Sequence, residues 1–372
     1  MNAYINATIL EMLERVKALK TKLPTDAPDC FHQLMVHCNT EIDNIISVLE
    51  DFINNPKYQV ASNLRRKLID FQEEVRYIDY LENQIVAPLH RWDPDDLKFT
   101  KLIQKVCKEI CFPLIPPVAS RLTFDYYCIN TKFNHIRVPL LEAEFLLHMP
   151  DLYHELGHQL IATSNNPRID KYQEELCNFM NYVEEYFRNE IVIRKKNNGI
   201  QEAEFLDLFL RSWNNWAIEL FCDLFAVYTL GVVYGWANLH LCIKRGANPY
   251  QTPIFAPNTH PADASRMEAI FIGLDLIGET QDAVSIKEYW KKYLYLSNGY
   301  LDANYKMAYP IEIIKECAIR ALVATRGIKC QIYNPDVNNE IGKLLHEAWT
   351  KFIQNPQTYI SWERSKRDVF NS

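Results

Sequence analysis

The chain has 372 residues, of which 48% are hydrophobic and 23% are charged, and its formal net charge is −7. This composition is typical of a folded globular protein with a substantial core, and the negative charge without a long basic run argues against nucleic-acid binding. No apolar run reaches the ~18 residues of a membrane span, and the first twenty residues lack the apolar core of a secretion signal. The ten cysteines are therefore expected to be reduced thiols in a cytoplasmic protein.

Helical periodicity dominates the N-terminal quarter of the chain. Ile9, Leu13 and Val16 repeat at three- and four-residue spacing, which predicts a first helix. A second helix is predicted over 31–53 and a third over 60–89, with a break near Pro88. The whole region, residues 1–97, carries no convergent polar cluster. We therefore expect a helical N-terminal subdomain that shapes a cleft or binds a regulatory protein partner.

Residues 98–372 are expected to form a larger domain, mainly α with a small β-hairpin or sheet. An acidic turn at 92–96 precedes a predicted helix over 102–112. Aromatic and β-branched residues at 124–129 and an alternating pattern at 134–138 predict two short strands around a turn. A short helix is predicted over 140–148. An edge strand at this place could bind an extended peptide through main-chain hydrogen bonds.

The next predicted helix carries the pattern His154-Glu155-x-x-His158. Histidines four residues apart lie one helical turn from each other, with Cβ atoms roughly 6 Å apart, and both can reach one Zn²⁺ at about 2.0–2.1 Å. Glu155 is rotated about 100° from His154, which suits a general base acting on water better than a third ligand. The alternative is a surface helix with two solvated histidines. Leu152 and Leu160 disfavour it, because they make the other faces apolar.

The third ligand must come from elsewhere in the chain. No histidine lies six residues after His158, and a predicted helix over 170–196 follows instead. Glu219 is the only later glutamate with an aspartate, Asp223, four residues on. Both acids lie on an otherwise apolar predicted helix over 216–227, where carboxylates are costly unless they are paired. A metal would satisfy Glu219, and a hydrogen bond to the outer nitrogen of a ligand histidine would satisfy Asp223.

A third segment, Thr259-His260-Pro261, predicts a turn and then an amphipathic helix with Pro261 at its first position, and Arg266 lies six residues after His260. We expect His260 to project into the cleft, and Arg266 to pair with Asp223 or Glu219. A capped helix start with both residues facing solvent explains the pattern equally well. Helices predicted over 283–296, 311–324 and 334–352 are expected to pack behind the metal-binding helices.

Together, the three segments resemble the gluzincin metallopeptidases, and within them the group that includes the Ste24-like and Oma1-like peptidases. In that group a His-Glu-x-x-His helix precedes a Glu-x-x-x-Asp helix and a His-Pro segment with an arginine six residues on. The resemblance covers about residues 124–277 and implies an HExxH zincin-like metallopeptidase core. It implies the following roles: Zn²⁺ ligands His154, His158 and Glu219; general base Glu155; Asp223 behind a ligand histidine; His260 and Arg266 near the substrate or the oxyanion.

The sequence thus predicts a zinc-dependent endopeptidase without a membrane span, acting on a protein or peptide substrate. Glu155 would take a proton from a metal-activated water, and His260 would stabilise the oxyanion. Two alternatives stay open: a non-catalytic helical interaction protein with a structural zinc, and a latent protease that a partner activates. Structural zinc sites usually close the fourth position with Cys or His, so a set of three ligands favours catalysis.

Overall fold

The structure is a computed structural model that describes residues 1–121, 126–140, 145–297, 299–337 and 339–370. It is mainly helical with a small three-stranded sheet, which confirms the predicted class at this coarse level. The chain divides into two compact units. The first comprises Met1–Lys101, Pro117–Tyr126 and Lys132–Leu140, and the second comprises Leu102–Pro116, Tyr127–Thr131 and Leu141–Ser372.

The first unit contains helices α1 (Asn2–Lys20), α2 (His32–Asn54), α3 (Leu64–Leu81) and α4 (Ala87–His90). Apolar side chains at three- and four-residue spacing line one face of each long helix, and these faces share one core. The predicted third helix runs through Pro88, because α3 continues into a π-helical turn (Glu82–Val86) and then into α4. Pro88 lies just after this π-helical turn, at a point where the i→i−4 hydrogen-bond ladder is already interrupted.

Helix α5 (Pro94–Glu109) begins earlier than predicted. The Asp93 side chain accepts hydrogen bonds from the backbone N–H groups of Asp95 and Asp96, at 2.8 and 3.0 Å. Capping by an aspartate followed by a proline at the first helical position is a common helix start. The residues interpreted as an acidic turn at 92–96 therefore initiate a helix.

The strands are short. In the first unit, β1 (Val118–Ser120) pairs in parallel with β3 (His135–Arg137), while β2 (Cys128–Asn130) belongs to the second unit. Residues 124 and 125 of the first predicted strand lie outside the described residues, as do 141–144 of the predicted short helix. The rest of that helix is a 3₁₀ turn, Leu146–His148.

The second unit is a helical assembly around one long helix, α8. In chain order its helices are α6 (Asp151–Ala162), α7 (Asp170–Lys196), α8 (Ile200–Leu230), α9 (Val232–Arg245), α10 (Asp263–Leu276), α11 (Thr280–Leu296), α12 (Tyr305–Ala308), α13 (Ile311–Gly327), α14 (Glu340–Gln354) and α15 (Pro356–Phe370). Every residue from Leu220 to Leu230 is buried, as expected for a helix that is apolar on all sides. Helices α6, α7, α10 and α13 pack against α8.

Among the described residues, none of the helices combines the length and the apolar character that crossing a membrane requires.

Candidate metal centre

The two histidines of the motif lie side by side on α6. Their Nε2 atoms are 3.2 Å apart, and their ring centroids are 4.9 Å apart. The His154 side chain is 9% exposed and that of His158 is 22% exposed. Two imidazole nitrogens this close need a proton or a cation between them, because two lone pairs would repel each other.

Helix α6 reaches α8 through a close backbone approach at Gly157. A Cβ atom at Gly157 would lie only 2.9 Å from the Cα of Cys222 and 3.0 Å from its Sγ. Glycine is therefore the residue that lets the two helix backbones approach this closely. This crossing brings the motif face of α6 against the part of α8 that carries Glu219 and Asp223.

Glu219 lies beside both histidines. Its Oε2 is 3.4 Å from His154 Nε2, and its Oε1 is 3.7 Å from His158 Nε2. With metal–ligand distances near 2.05 Å, the edge of a tetrahedral zinc site is about 3.3 Å. The distance between the two Nε2 atoms and the distances from the two Glu219 oxygens to the histidines are close to this edge length. The two imidazoles and one carboxylate are also donor types that zinc accepts.

Cys222 contributes a fourth donor atom nearby. One nitrogen of His154, one of His158 and the Cys222 sulfur all lie within 4.8 Å of one another. The thiol is free and fully buried. Glu219, at 3.4 and 3.7 Å from the two histidines, and Cys222 are therefore both candidates for the third donor, and Glu219 is the one that the sequence predicts.

Asp223 is fully buried and forms hydrogen bonds with both His154 and Arg266. Its Oδ1 accepts a hydrogen bond from His154 Nδ1 at 2.8 Å. Arg266 donates from Nε to Oδ2 at 2.7 Å and from Nη2 to Oδ1 at 2.6 Å. This bidentate pair keeps a carboxylate charged inside an apolar helix, and the Arg266 charge, among other interactions, holds the pKa of Asp223 below its usual range. The pairing expected for Arg266 is therefore made with Asp223.

Tyr234 is a site residue that the sequence did not reveal. Its hydroxyl donates to Asp223 Oδ1 and lies 3.2 Å from His154 Nδ1. It is buried on α9, within an apolar stretch where nothing distinguishes it from other core aromatic residues. Only the three-dimensional packing identifies its hydrogen bond to Asp223.

Glu155 points toward β2. Its Oε2 accepts a hydrogen bond from the backbone N–H of Ile129 at 2.8 Å. Burial raises the pKa of Glu155 to about 7, and the nearby charge of His154 opposes this rise. The hydrogen bond from Ile129 could not be predicted from the sequence, because every residue except proline supplies a backbone N–H.

The electrostatics of the donor set favour a cation. Burial would lower the pKa of His154, but hydrogen bonds to Asp223 and Glu219 outweigh it and raise the pKa to about 10. Burial would likewise raise the pKa of Glu219, yet the interaction with His154 lowers it to about 2. His158 has its pKa lowered to about 4 by burial and by the neighbouring His154 charge. The carboxylates thus stabilise positive charge at the position where the three donor groups meet.

His260 lies at the exposed edge of the same cluster. Its side chain is 62% exposed, and its Nε2 is 3.9 Å from Glu219 Oε2. The Thr259 hydroxyl is 2.9 Å from His260 Nδ1. The following helix, α10, begins at Asp263 and not at Pro261 as predicted. It nevertheless carries Arg266 to Asp223. Distances of 3.9 Å or less therefore join six of the predicted site residues, and the seventh, Glu155, lies on the same helix as the two histidines.

Comparisons of the chain with models of protein families, with curated proteins and with solved structures found no match. The function is therefore inferred from the donor atoms of the cluster and their surroundings.

Proposed function

We propose that this chain is a zinc-dependent endopeptidase in which His154, His158 and Glu219 hold the metal and Glu155 is the general base. The observation that carries the proposal is a set of short distances: 3.2 Å between His154 and His158, and 3.4 and 3.7 Å from Glu219 to these histidines. The Glu155 carboxylate lies on the same helix as the two histidines. Zinc in this set would act as a Lewis acid that activates water and polarises a peptide carbonyl. Three protein ligands leave one position open, as catalytic zinc sites require.

Glu155 would take the proton of the attacking water and pass it to the leaving amine. The Ile129 N–H fixes Oε2 of this carboxylate. In the proposed mechanism, Oε1 is the oxygen that would accept the proton from water. The backbone of β2 therefore orients the proposed base without occupying both of its oxygens.

His260 supports the proposal from the exposed side. Its Nε2 lies near Glu219, and its Nδ1 lies beside the Thr259 hydroxyl, which limits rotation of the ring. In the proposal, an imidazole N–H at the edge of the donor cluster would donate to the oxyanion that forms when water attacks a carbonyl.

A structural zinc site is the second candidate, and the proximity of the Cys222 sulfur to both histidines favours it. A thiolate ligand would close the fourth position and give a non-catalytic helical protein. A Cys222→Ala variant separates the two candidates. The endopeptidase proposal expects this variant to retain both zinc and hydrolysis, whereas loss of its zinc would favour the structural site.

The proposal is tested by a Glu155→Gln variant of the full chain, assayed with unstructured casein and a mixed peptide library. We expect zinc content equal to that of the wild type and a loss of hydrolysis of about 10²–10⁴-fold, the contribution of a general base. Glu204→Gln, at an exposed position of α8, is the matched control and should cut at the wild-type rate. Wild-type hydrolysis by the Glu155→Gln variant would reject the assignment of the base. A zinc-loaded wild type that cuts nothing would reject the endopeptidase function.

A further inference from the structure

The turn between α8 and α9 places Tyr234 on the site. Gly231 separates the two helices with φ +71°, a conformation that residues with a Cβ rarely adopt. A Cβ at this position would also meet the Tyr333 ring at 2.6 Å. The chain therefore changes direction at Gly231, and the Tyr234 hydroxyl on α9 contacts Asp223, eleven residues earlier on α8.

The hydrogen atoms around Asp223 can be assigned. Arg266 supplies two donors, one to each carboxylate oxygen. Tyr234 has one hydroxyl hydrogen, and it points to Oδ1, because an ionised carboxylate can only accept. His154 Nδ1, 2.8 Å from the same oxygen and 3.2 Å from the tyrosine oxygen, must carry a hydrogen as well. Nε2 is then the nitrogen of His154 that offers its lone pair to a metal.

We infer that Tyr234 is a positioning residue for the metal centre, an inference that rests on the metal site of the proposed function. Its hydroxyl fixes the Asp223 carboxylate, and Asp223 fixes the ring orientation and the Nδ1–H tautomer of His154. Its ring plane lies within 9° of the His154 ring plane, at a centroid distance of 6.4 Å. Tyr234 does not touch a reacting atom, so its contribution is to metal affinity and geometry.

The Tyr234 hydroxyl is the group that orients Asp223, whereas the Tyr234 ring packs in the core. A Tyr234→Phe variant keeps the buried ring and removes one donor to Asp223. Tyr228→Phe is the matched control, since the Tyr228 hydroxyl is also buried and donates at 2.6 Å to the Ala318 carbonyl. The two variants lose the same chemical group from the same unit, but only Tyr234→Phe alters the carboxylate behind His154.

The test is a zinc titration of the full chain in competition with a chromophoric chelator. We expect Tyr234→Phe to bind zinc about 10–100-fold more weakly, the loss typical of residues that orient a metal ligand. We expect Tyr228→Phe to bind zinc as the wild type does. Cobalt(II) substituted at the site should show a shifted visible spectrum in Tyr234→Phe alone. Wild-type affinity in Tyr234→Phe, or an equal loss in Tyr228→Phe, would overturn the inference.

A measurement on the wild type covers the case in which Tyr234→Phe does not fold. Nitrogen-15 NMR of the His154 ring in the zinc-loaded chain should show a protonated Nδ1 and a metal-bound Nε2. Zinc on Nδ1 would overturn the positioning role, because Asp223 and Tyr234 would then face the wrong nitrogen. These outcomes are independent of hydrolysis: zinc binding that weakens in Tyr234→Phe supports the inference even if Glu155→Gln shows no catalytic role.

Discussion

Gly157 is the point where α6 crosses α8, and a Gly157→Ala substitution tests whether this close approach assembles the site. The added Cβ would lie 2.9 Å from Cys222 Cα, whereas ordinary van der Waals separations begin near 3.4 Å. The difference between these two distances is about 0.5 Å, and the closest atom belongs to the backbone. A backbone atom cannot rotate away, so the two helices must separate.

Two effects oppose each other in this variant. Alanine improves helix propensity by about 0.8–1.0 kcal/mol relative to glycine. Overpacking a buried position costs about 1–3 kcal/mol, and here the strained atom is in the backbone, so the cost should lie near the upper end. We expect a net loss of about 1–2 kcal/mol in the free energy of unfolding. Zinc affinity should fall as well, because the separation lengthens the distances from Glu219 to the histidines, already 3.4 and 3.7 Å.

The assay pairs urea unfolding with zinc titration for Gly157→Ala and for a control, Gly273→Ala. The three atoms nearest to a Cβ at Gly273 would all belong to side chains, the ends of Leu224 and Val227 at 2.9 and 3.2 Å and the Tyr228 ring at 3.5 Å. These ends can move, so the control should lose less stability and keep its zinc affinity. Adding Cys222→Ala to Gly157→Ala should not restore zinc binding, because the new methyl group still collides with the backbone of α8. Full restoration by the double variant, or unchanged zinc affinity in Gly157→Ala, would show that the backbone approach at Gly157 does not assemble the site.

Two further predictions concern stability. Arg266→Met should cost about 3–5 kcal/mol in urea unfolding, since it leaves the buried Asp223 carboxylate without its cation. Arg188→Met, which breaks an ion pair whose side chains are 68% and 50% exposed, should cost under about 1 kcal/mol, and equal losses would contradict this assignment. Burial lowers the pKa of His135 from 6.5 to about 3. The unfolded chain therefore binds the extra proton first, and stability falls as the pH drops from about 6.5 toward 3. Relative to His135→Asn, the wild type should lose about 2 kcal/mol between pH 7.5 and pH 5, from 1.5 pH units at 1.36 kcal/mol each. A difference that does not change with pH would show that His135 is not buried in its neutral form.

Helical periodicity predicted the long helices well, because each needs a continuous apolar face to pack. The helix predicted over 170–196 is α7 (Asp170–Lys196) in the structure. Helix starts were predicted less well, since they depend on single caps. Asp93 starts α5 within a segment interpreted as a turn, and α10 begins two residues after Pro261.

The candidate site was predictable where the chemistry is local. The spacing of the histidines and the cost of burying Glu219 and Asp223 in an apolar helix both indicate a metal site from the residue pattern alone. The roles of Gly157 and Tyr234 could not be predicted. The first depends on α6 crossing α8, and the second depends on α9 bringing a tyrosine hydroxyl to Asp223. Such interactions join residues distant in sequence and have no periodic signature.

X-ray absorption at the zinc edge of the zinc-loaded wild type would identify the ligands of the metal. The proposal predicts nitrogen and oxygen ligands at about 2.0–2.2 Å, including two imidazoles, with no sulfur at about 2.3 Å. Replacing Glu219 with Gln should weaken zinc binding, while Cys222→Ala should leave the spectrum unchanged. A sulfur shell that disappears in Cys222→Ala, or a wild type that binds no zinc, would reject His154, His158 and Glu219 as the three zinc ligands.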